Sequence, residues 1–125
     1  MELINAPGAP AAIGPYSHAV KAGDLLFVSG QVPFDPATGD VVGADISTQT
    51  AQALSNLDKV LAHVGLNKNN IAKATVFLSD YDDFAEFNKA YAAYMGEHRP
   101  ARTTVEVGRL PKNVRVEIDV IASFK

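Results

Sequence analysis

The spacing of apolar residues along this chain switches between two periods, and the order of the switches limits the fold. Residues 17–21, a turn at Ala22-Gly23-Asp24 and the continuous apolar run Leu25-Leu26-Phe27-Val28 read as a hairpin. A run with no polar alternation suits a strand buried on both faces. Ser29-Gly30-Gln31 ends it, and the dense turn formers of residues 33–40 mark a loop. The period then lengthens. Ala53, Leu57, Val60, Leu61 and Val64 recur every three or four residues, as on one face of a helix. That helix begins at Asp45 or Ser47, both good N-caps, and stops at Gly65. Period two returns at residues 71–79, with Ala74, Val76 and Leu78 on one face and Lys73, Thr75, Phe77 and Ser79 on the other. Phe84, Phe87, Tyr91 and Met95 stripe a second helix that ends at Gly96. Asp83 and Glu86 have the spacing of a capping box at its start. Two more strand-like runs, 102–107 and 114–120, follow either side of a break at Pro111.

The predicted order is β-β-α-β-α-β-β, preceded by an extended arm at residues 6–15 that is rich in Pro, Gly and Ala. Two amphipathic helices can cover one face of a sheet, which makes this an α+β layer. At 125 residues the chain fits a single domain, 1–125. The other sheet face is the difficulty. Phe77 and Ile121 fall among the polar residues of their strands, and the strand at 25–28 is apolar on both sides. A half-apolar, uncovered face points to burial against another copy of the chain.

Composition narrows the function. A net charge of −3 argues against a dedicated nucleic-acid binder. With no cysteine there is no disulfide framework, no thiolate nucleophile and no Cys-ligated metal. His18, His63 and His98 are isolated, so no metal site is expected. His63 and His98 read as surface residues, and His18 as a possible neighbour of a cleft through Tyr16. No apolar stretch approaches the ~18 residues that span a bilayer, and residues 1–15 lack the pattern of a signal peptide. The expectation is a cytoplasmic protein with no membrane contact.

Arg102 is the residue with the most chemical meaning. It opens the run 102–107, and Glu117 lies in the run that follows. On neighbouring strands the two would form a compact polar pair. A guanidinium is a planar fork of donors that fits a carboxylate with two parallel hydrogen bonds. If Arg102 faces a pocket, the chain binds a small acid. The alternative is a structural arginine paired with Glu106 or Glu117.

Several segments together resemble one known family. They are Gly14-Pro15-Tyr16-Ser17-His18-Ala19-Val20, Val28-Ser29-Gly30-Gln31, Phe87-Asn88, residues 99–105 (Arg-Pro-Ala-Arg-Thr-Thr-Val), and Leu110-Pro111 with Val116-Glu117-Ile118. In this order, nearly end to end, they resemble the RidA/YjgF family of reactive intermediate imine/enamine deaminases. The resemblance implies a chorismate-mutase-like subunit with two helices on one face of a mixed sheet. It also implies a homotrimer whose sheets close a central barrel, with clefts between subunits. The implied reaction is hydrolysis of short 2-imino acids to 2-keto acids and ammonia, with no metal and no cofactor. Such imines, 2-iminobutanoate and 2-iminopropanoate among them, are released by pyridoxal-phosphate enzymes.

The same resemblance assigns roles. Arg102 matches the arginine that grips the substrate carboxylate. Glu117 matches the glutamate that places or deprotonates the attacking water. Ser29, Gly30 and Tyr16 match residues lining the pocket, and Asn88 matches a position that reaches the cleft, in the same or the adjoining subunit. Thr104 stands where many relatives carry Cys; its hydroxyl still donates and accepts a hydrogen bond. Two other readings remain open at this point: a sensor that binds a keto or imino acid without turning it over, and an RNA-cleaving enzyme, which the acidic balance disfavours.

Overall fold

The two periods become six strands and two α-helices in the computed structural model, which describes residues 1–125. In chain order these are β1 (Glu2–Ile4), β2 (Ala19–Ala22), β3 (Leu25–Gln31), α1 (Ile46–His63), β4 (Ile71–Leu78), α2 (Phe84–Met95), β5 (Ala101–Glu106) and β6 (Val116–Ser123). All the strands join one sheet in the order β1-β2-β3-β6-β4-β5. Every neighbouring pair is antiparallel except β4 and β5, so the sheet is mixed. The fold class is α+β. No helix is long and apolar enough to cross a membrane.

The last strand enters the middle of the sheet. β6 lies between β3 and β4, and β5 is left as an edge strand beyond β4. Residues 102 and 117 are therefore not on neighbouring strands, contrary to the expectation. β1 was also not foreseen. It adds three residues to the opposite edge, pairing Leu3 with Val20, where no period is long enough to read. β6 starts two residues later than expected. Lys112 and Asn113 take left-handed backbone angles (φ 51° and 56°) in the turn after Pro111. The Arg115 N–H is then drawn to Gln49 Oε1 (2.7 Å), outside the ladder.

Local chemistry explains the helix ends. Asp45 is the N-cap of α1 and accepts from the Thr48 N–H (3.0 Å). That bond holds its carboxyl below the ordinary carboxylate range. Gly65, at φ 78°, lets Leu66 N–H turn back to Leu61 O (2.9 Å). The start of α2 differs from the expected capping box. Asp83 makes no cap bond; its carboxylate pairs with Arg115 (3.0 Å), and Glu86 pairs with Lys89 (3.0 Å). Asp80 caps instead, one short 3-10 turn earlier, by accepting from Asp82 N–H (2.9 Å).

Both helices pack on the same sheet face. Leu54, Leu57, Val60 and Leu61 of α1, with Phe87, Tyr91 and Met95 of α2, close over Leu26, Val76, Leu78, Ile118 and Val120 in one buried cluster. Each large side chain fully buried there contributes about 1.5–3 kcal/mol. The opposite face has no layer over it. Leu25, Phe27 and Val105 are exposed there, beside half-buried Phe77 and Ile121. His63 is exposed as expected, whereas His98 is half-buried and bonds through Nε2 to the Ile71 carbonyl (2.8 Å).

Candidate active site

The strand pairing decides which face each polar side chain takes. Residues paired across a ladder share a face. Arg102 pairs with Ala74 and Thr104 with Val76, both fully buried under the helices. Glu117 pairs with Phe77, on the uncovered face. Arg102 and Glu117 of one chain thus lie on opposite sides of the sheet, and the candidate residues fall into two groups.

The first group borders a cleft of about 620 Å³ at the end of β3, lined by Tyr16, His18, Ser29, Gly30, Gln31 and Glu117 among others. β3 and β6 slip register between Val28 and Gln31, and a bulge there re-aims the backbone. The Glu117 side chain lies directly over Gly30. A Cβ added at Gly30 would stand 2.8 Å from Glu117 Cδ and closer still to Oε2, so any larger residue there displaces the carboxylate from this position. Burial raises the Glu117 carboxyl above its ordinary range, and the like charge of Asp119 raises it further. Burial also raises Asp119, opposed by a hydrogen bond with Thr75 and by Lys73. The Ser29 hydroxyl donates to Ser17 O (2.7 Å), which leaves its lone pairs as acceptors toward the cleft.

The cleft walls are held by buried polar residues that sequence periodicity does not single out. Asn56 of α1 is fully buried and donates to both Val32 O and Phe34 O (2.9 Å each), fixing the far wall. Lys112 closes the rim by donating to Gly39 O (2.7 Å), with its ammonium 4.8 Å from the Phe34 ring centroid. Its left-handed backbone, and that of Asn113, stores strain of about 1–3 kcal/mol each at the site.

His18 holds the near wall. It is buried, Nδ1 accepts from the Ala6 N–H (2.9 Å), and Nε2 faces the Pro10 carbonyl (2.8 Å), so the proton sits on Nε2. The ring ties the arm down at Ala6 and at Pro10, from which it runs past the cleft through Ile13 to Tyr16. A His18→Ala substitution should leave the buried Ala6 N–H without an acceptor and cost about 1–3 kcal/mol. The expected readouts are a lower Tm and faster hydrogen exchange at Ala6 than in the parent. Unchanged exchange at Ala6 would show that the arm is held by other contacts.

The second group surrounds Arg102. Its guanidinium donates to Asn88 Oδ1 (2.8 Å) and lies 4.9 Å from the Tyr91 ring centroid, with Phe84 and Phe87 at 5.6 and 5.8 Å. Aromatic faces stabilise a cation but leave its donors free. None of the three ion pairs in the chain includes Arg102, so the structural alternative, a pair with Glu106 or Glu117, does not form. Glu106 instead accepts from the Tyr81 N–H (2.8 Å). Beside the guanidinium is a cavity of about 440 Å³ bounded by Asn88, Tyr91, Arg99 and Arg102. Thr104 lies two residues along the same face, with its buried Oγ1 unpartnered. A half-buried arginine with one amide partner and an adjacent cavity has donors left free to hold an anion.

Comparison with known proteins agrees with this fold. A family described as Endoribonuclease L-PSP matches residues 6–124. A RutC family protein of Pyrococcus horikoshii is 51% identical over 97% of this chain and 96% of its own length. A Salmonella typhimurium protein named 2-iminobutanoate/2-iminopropanoate deaminase is 47% identical over 97% and 96%. Among solved structures, Escherichia coli TdcF with bound serine superposes with a TM-score of 0.93 at 40% identity, covering 98% of both chains. With the match running nearly end to end at this identity, and with the same two helices on the same six-stranded sheet, the chain belongs to the Endoribonuclease L-PSP family, also known as the YjgF/RidA family.

Proposed function

We propose that this protein hydrolyses short 2-imino acids, such as 2-iminobutanoate and 2-iminopropanoate, to the corresponding 2-keto acids and ammonia. The observation that carries the reading is Arg102: a half-buried guanidinium with no carboxylate partner and an open cavity beside it. A 2-imino acid offers a carboxylate of the right shape, next to the carbon that must be attacked. The names of two curated relatives, from Salmonella typhimurium and Escherichia coli, support the same substrate class.

The chemistry divides between the two groups of residues. Arg102 holds the substrate carboxylate with two parallel N–H bonds, and Asn88 fixes the guanidinium plane. Glu117, as the carboxylate, takes a proton from water while the water oxygen bonds to the imine carbon. The C=N bond becomes a single bond and a carbinolamine results. Glu117 returns the proton to nitrogen. Glu117 then takes the carbinol O–H proton and passes it to the amine as the C–N bond breaks, giving C=O and free ammonia. Burial and Asp119 keep the proton affinity of Glu117 high, which suits a base working near neutral pH.

Because Arg102 and Glu117 face opposite sides of one sheet, a complete site needs the Arg102 group of one chain against the Glu117 group of another. The exposed Phe27 and Val105, with Phe77 and Ile121, offer the apolar surface for such an assembly, a homotrimer with three clefts. Mixing tests this directly. Arg102→Ala and Glu117→Gln proteins, each inactive alone, are refolded together at equal amounts. Random trimers then hold about a quarter of their clefts with both groups intact, and about a quarter of parent activity returns. No recovery would mean that the site lies within one chain.

RNA cleavage is the weaker reading. A phosphodiester backbone calls for basic coverage, and the chain carries a net charge of −3. The one histidine at the cleft has both ring nitrogens engaged by the arm. A protein that binds 2-oxobutanoate yet leaves imine decay unchanged would instead be a sensor.

A further inference from the structure

Only three buried side-chain oxygens in this chain have no hydrogen-bond partner: those of Thr50, Tyr91 and Thr104. Tyr91 and Thr104 both flank Arg102. Tyr91 is the more telling. It is 7% exposed, its ring packs on Phe87 at 5.5 Å, and its hydroxyl bonds to nothing. Phenylalanine would make the same packing contacts, as Phe84 and Phe87 do on the same helix. A buried O–H without a partner is destabilising, so its presence calls for a cause outside the folded core.

The surroundings say what would satisfy it. Tyr91 borders the cavity that also holds Asn88, Arg99 and Arg102. The Arg102 guanidinium lies 4.9 Å from the Tyr91 ring centroid and Arg99 borders the same cavity, so Tyr91 sits within their positive field, which opposes the effect of burial on its hydroxyl. In that field a group entering the cavity is an anion, and a hydroxyl facing an anion donates. A carboxylate has about four lone-pair positions, and the arginine fork uses two. A third donor therefore fits without competing.

We infer that the Tyr91 hydroxyl is a further substrate-binding group, donating to the same carboxylate that Arg102 grips and fixing its rotation about the guanidinium plane. The inference rests on the imino-acid reading above and deepens it. Fork and hydroxyl together hold the acid at three points. The reacting carbon is then set in one orientation instead of swinging about the fork.

The test is Tyr91→Phe beside Arg102→Ala, with 2-oxobutanoate as the calorimetric probe and 2-iminobutanoate hydrolysis as the kinetic one. For Tyr91→Phe, Kd and KM should rise about tenfold or more, as for loss of one hydrogen bond to a charged group. The value of kcat should change much less, and Tm should stay level or rise because the orphan hydroxyl is gone. If Tyr91→Phe leaves Kd and KM within twofold of the parent while Arg102→Ala abolishes binding, the hydroxyl is no ligand and the inference fails alone. A marked drop in Tm with unchanged binding would also overturn it, by revealing an internal partner. If Arg102→Ala binds the keto acid as well as the parent does, the imino-acid reading itself fails and takes this inference with it.

Discussion

Arg102→Ala should lower kcat/KM for 2-iminobutanoate by about 10²- to 10⁴-fold, since it removes two charge-assisted hydrogen bonds of about 1.5–3 kcal/mol each. The substitution should do this without unfolding the protein. No carboxylate in the chain loses a partner, because Arg102 is in no ion pair. Only the half-buried Asn88 amide loses a bond, and three aromatic rings lose a cation above them. Arg102→Lys should recover little, because an ammonium cannot present two parallel donors to a carboxylate. The measurement is the decay of imine generated by a threonine dehydratase, with Tm recorded alongside. Parent-like rates in Arg102→Ala would end the proposal that this cation holds the substrate.

Glu117→Gln should show opposite signs for activity and stability. Loss of the general base should cost about 10²- to 10⁴-fold in kcat. The stability effect follows from the raised pKa. In the folded protein the protonated carboxyl is favoured, so above the folded pKa the buried charge opposes folding. Below the unfolded pKa, about 4.3, that penalty is absent. At neutral pH the glutamine variant, which carries no charge, should therefore melt at the same temperature as the parent or higher. The pH profile supplies a second check. The base exists only above its folded pKa, so the rate should fall as pH drops through a value above the ordinary carboxylate range. Asp119→Asn removes the like charge and should move that acid limb to lower pH. An acid limb that does not move would separate Asp119 from the titration.

Where the sequence was legible, a period repeated often enough to be read. α1 shows five apolar positions on one stripe and a capping residue at Asp45, and it forms where those place it. β4 alternates without a break and forms as expected, one residue shorter. β1 is three residues long, too short for any period, and its pairing with β2 depends on a hairpin partner that the arm separates from it. The start of α2 misled because Asp83 and Glu86 have the right spacing but each is bound elsewhere, by Arg115 and Lys89.

The candidate site was legible as two groups of residues that lie together, and not as an arrangement. Tyr16, Ser29, Gly30 and Glu117 do come together at one cleft. Asn88 and Arg102 bond to each other, with Thr104 on the same strand face. What no spacing shows is that β6 inserts between β3 and β4 and sends β5 to the edge. That order puts Arg102 under α2 and Glu117 on the bare face. Tyr91 was legible only as one member of an apolar stripe, because a tyrosine and a phenylalanine give the same period. The missing partner of its hydroxyl is a property of the packed structure alone.

A β-sheet is a wall that no side chain reaches around. On the proposed division of roles, a newly made chain with Arg102 on one side of that wall and Glu117 on the other would carry every reactive group and could use none of them. Its turnover should then vanish on dilution, well before its helices melt. Folding alone would leave the chain latent, and encounter with its own kind would be what switches the chemistry on.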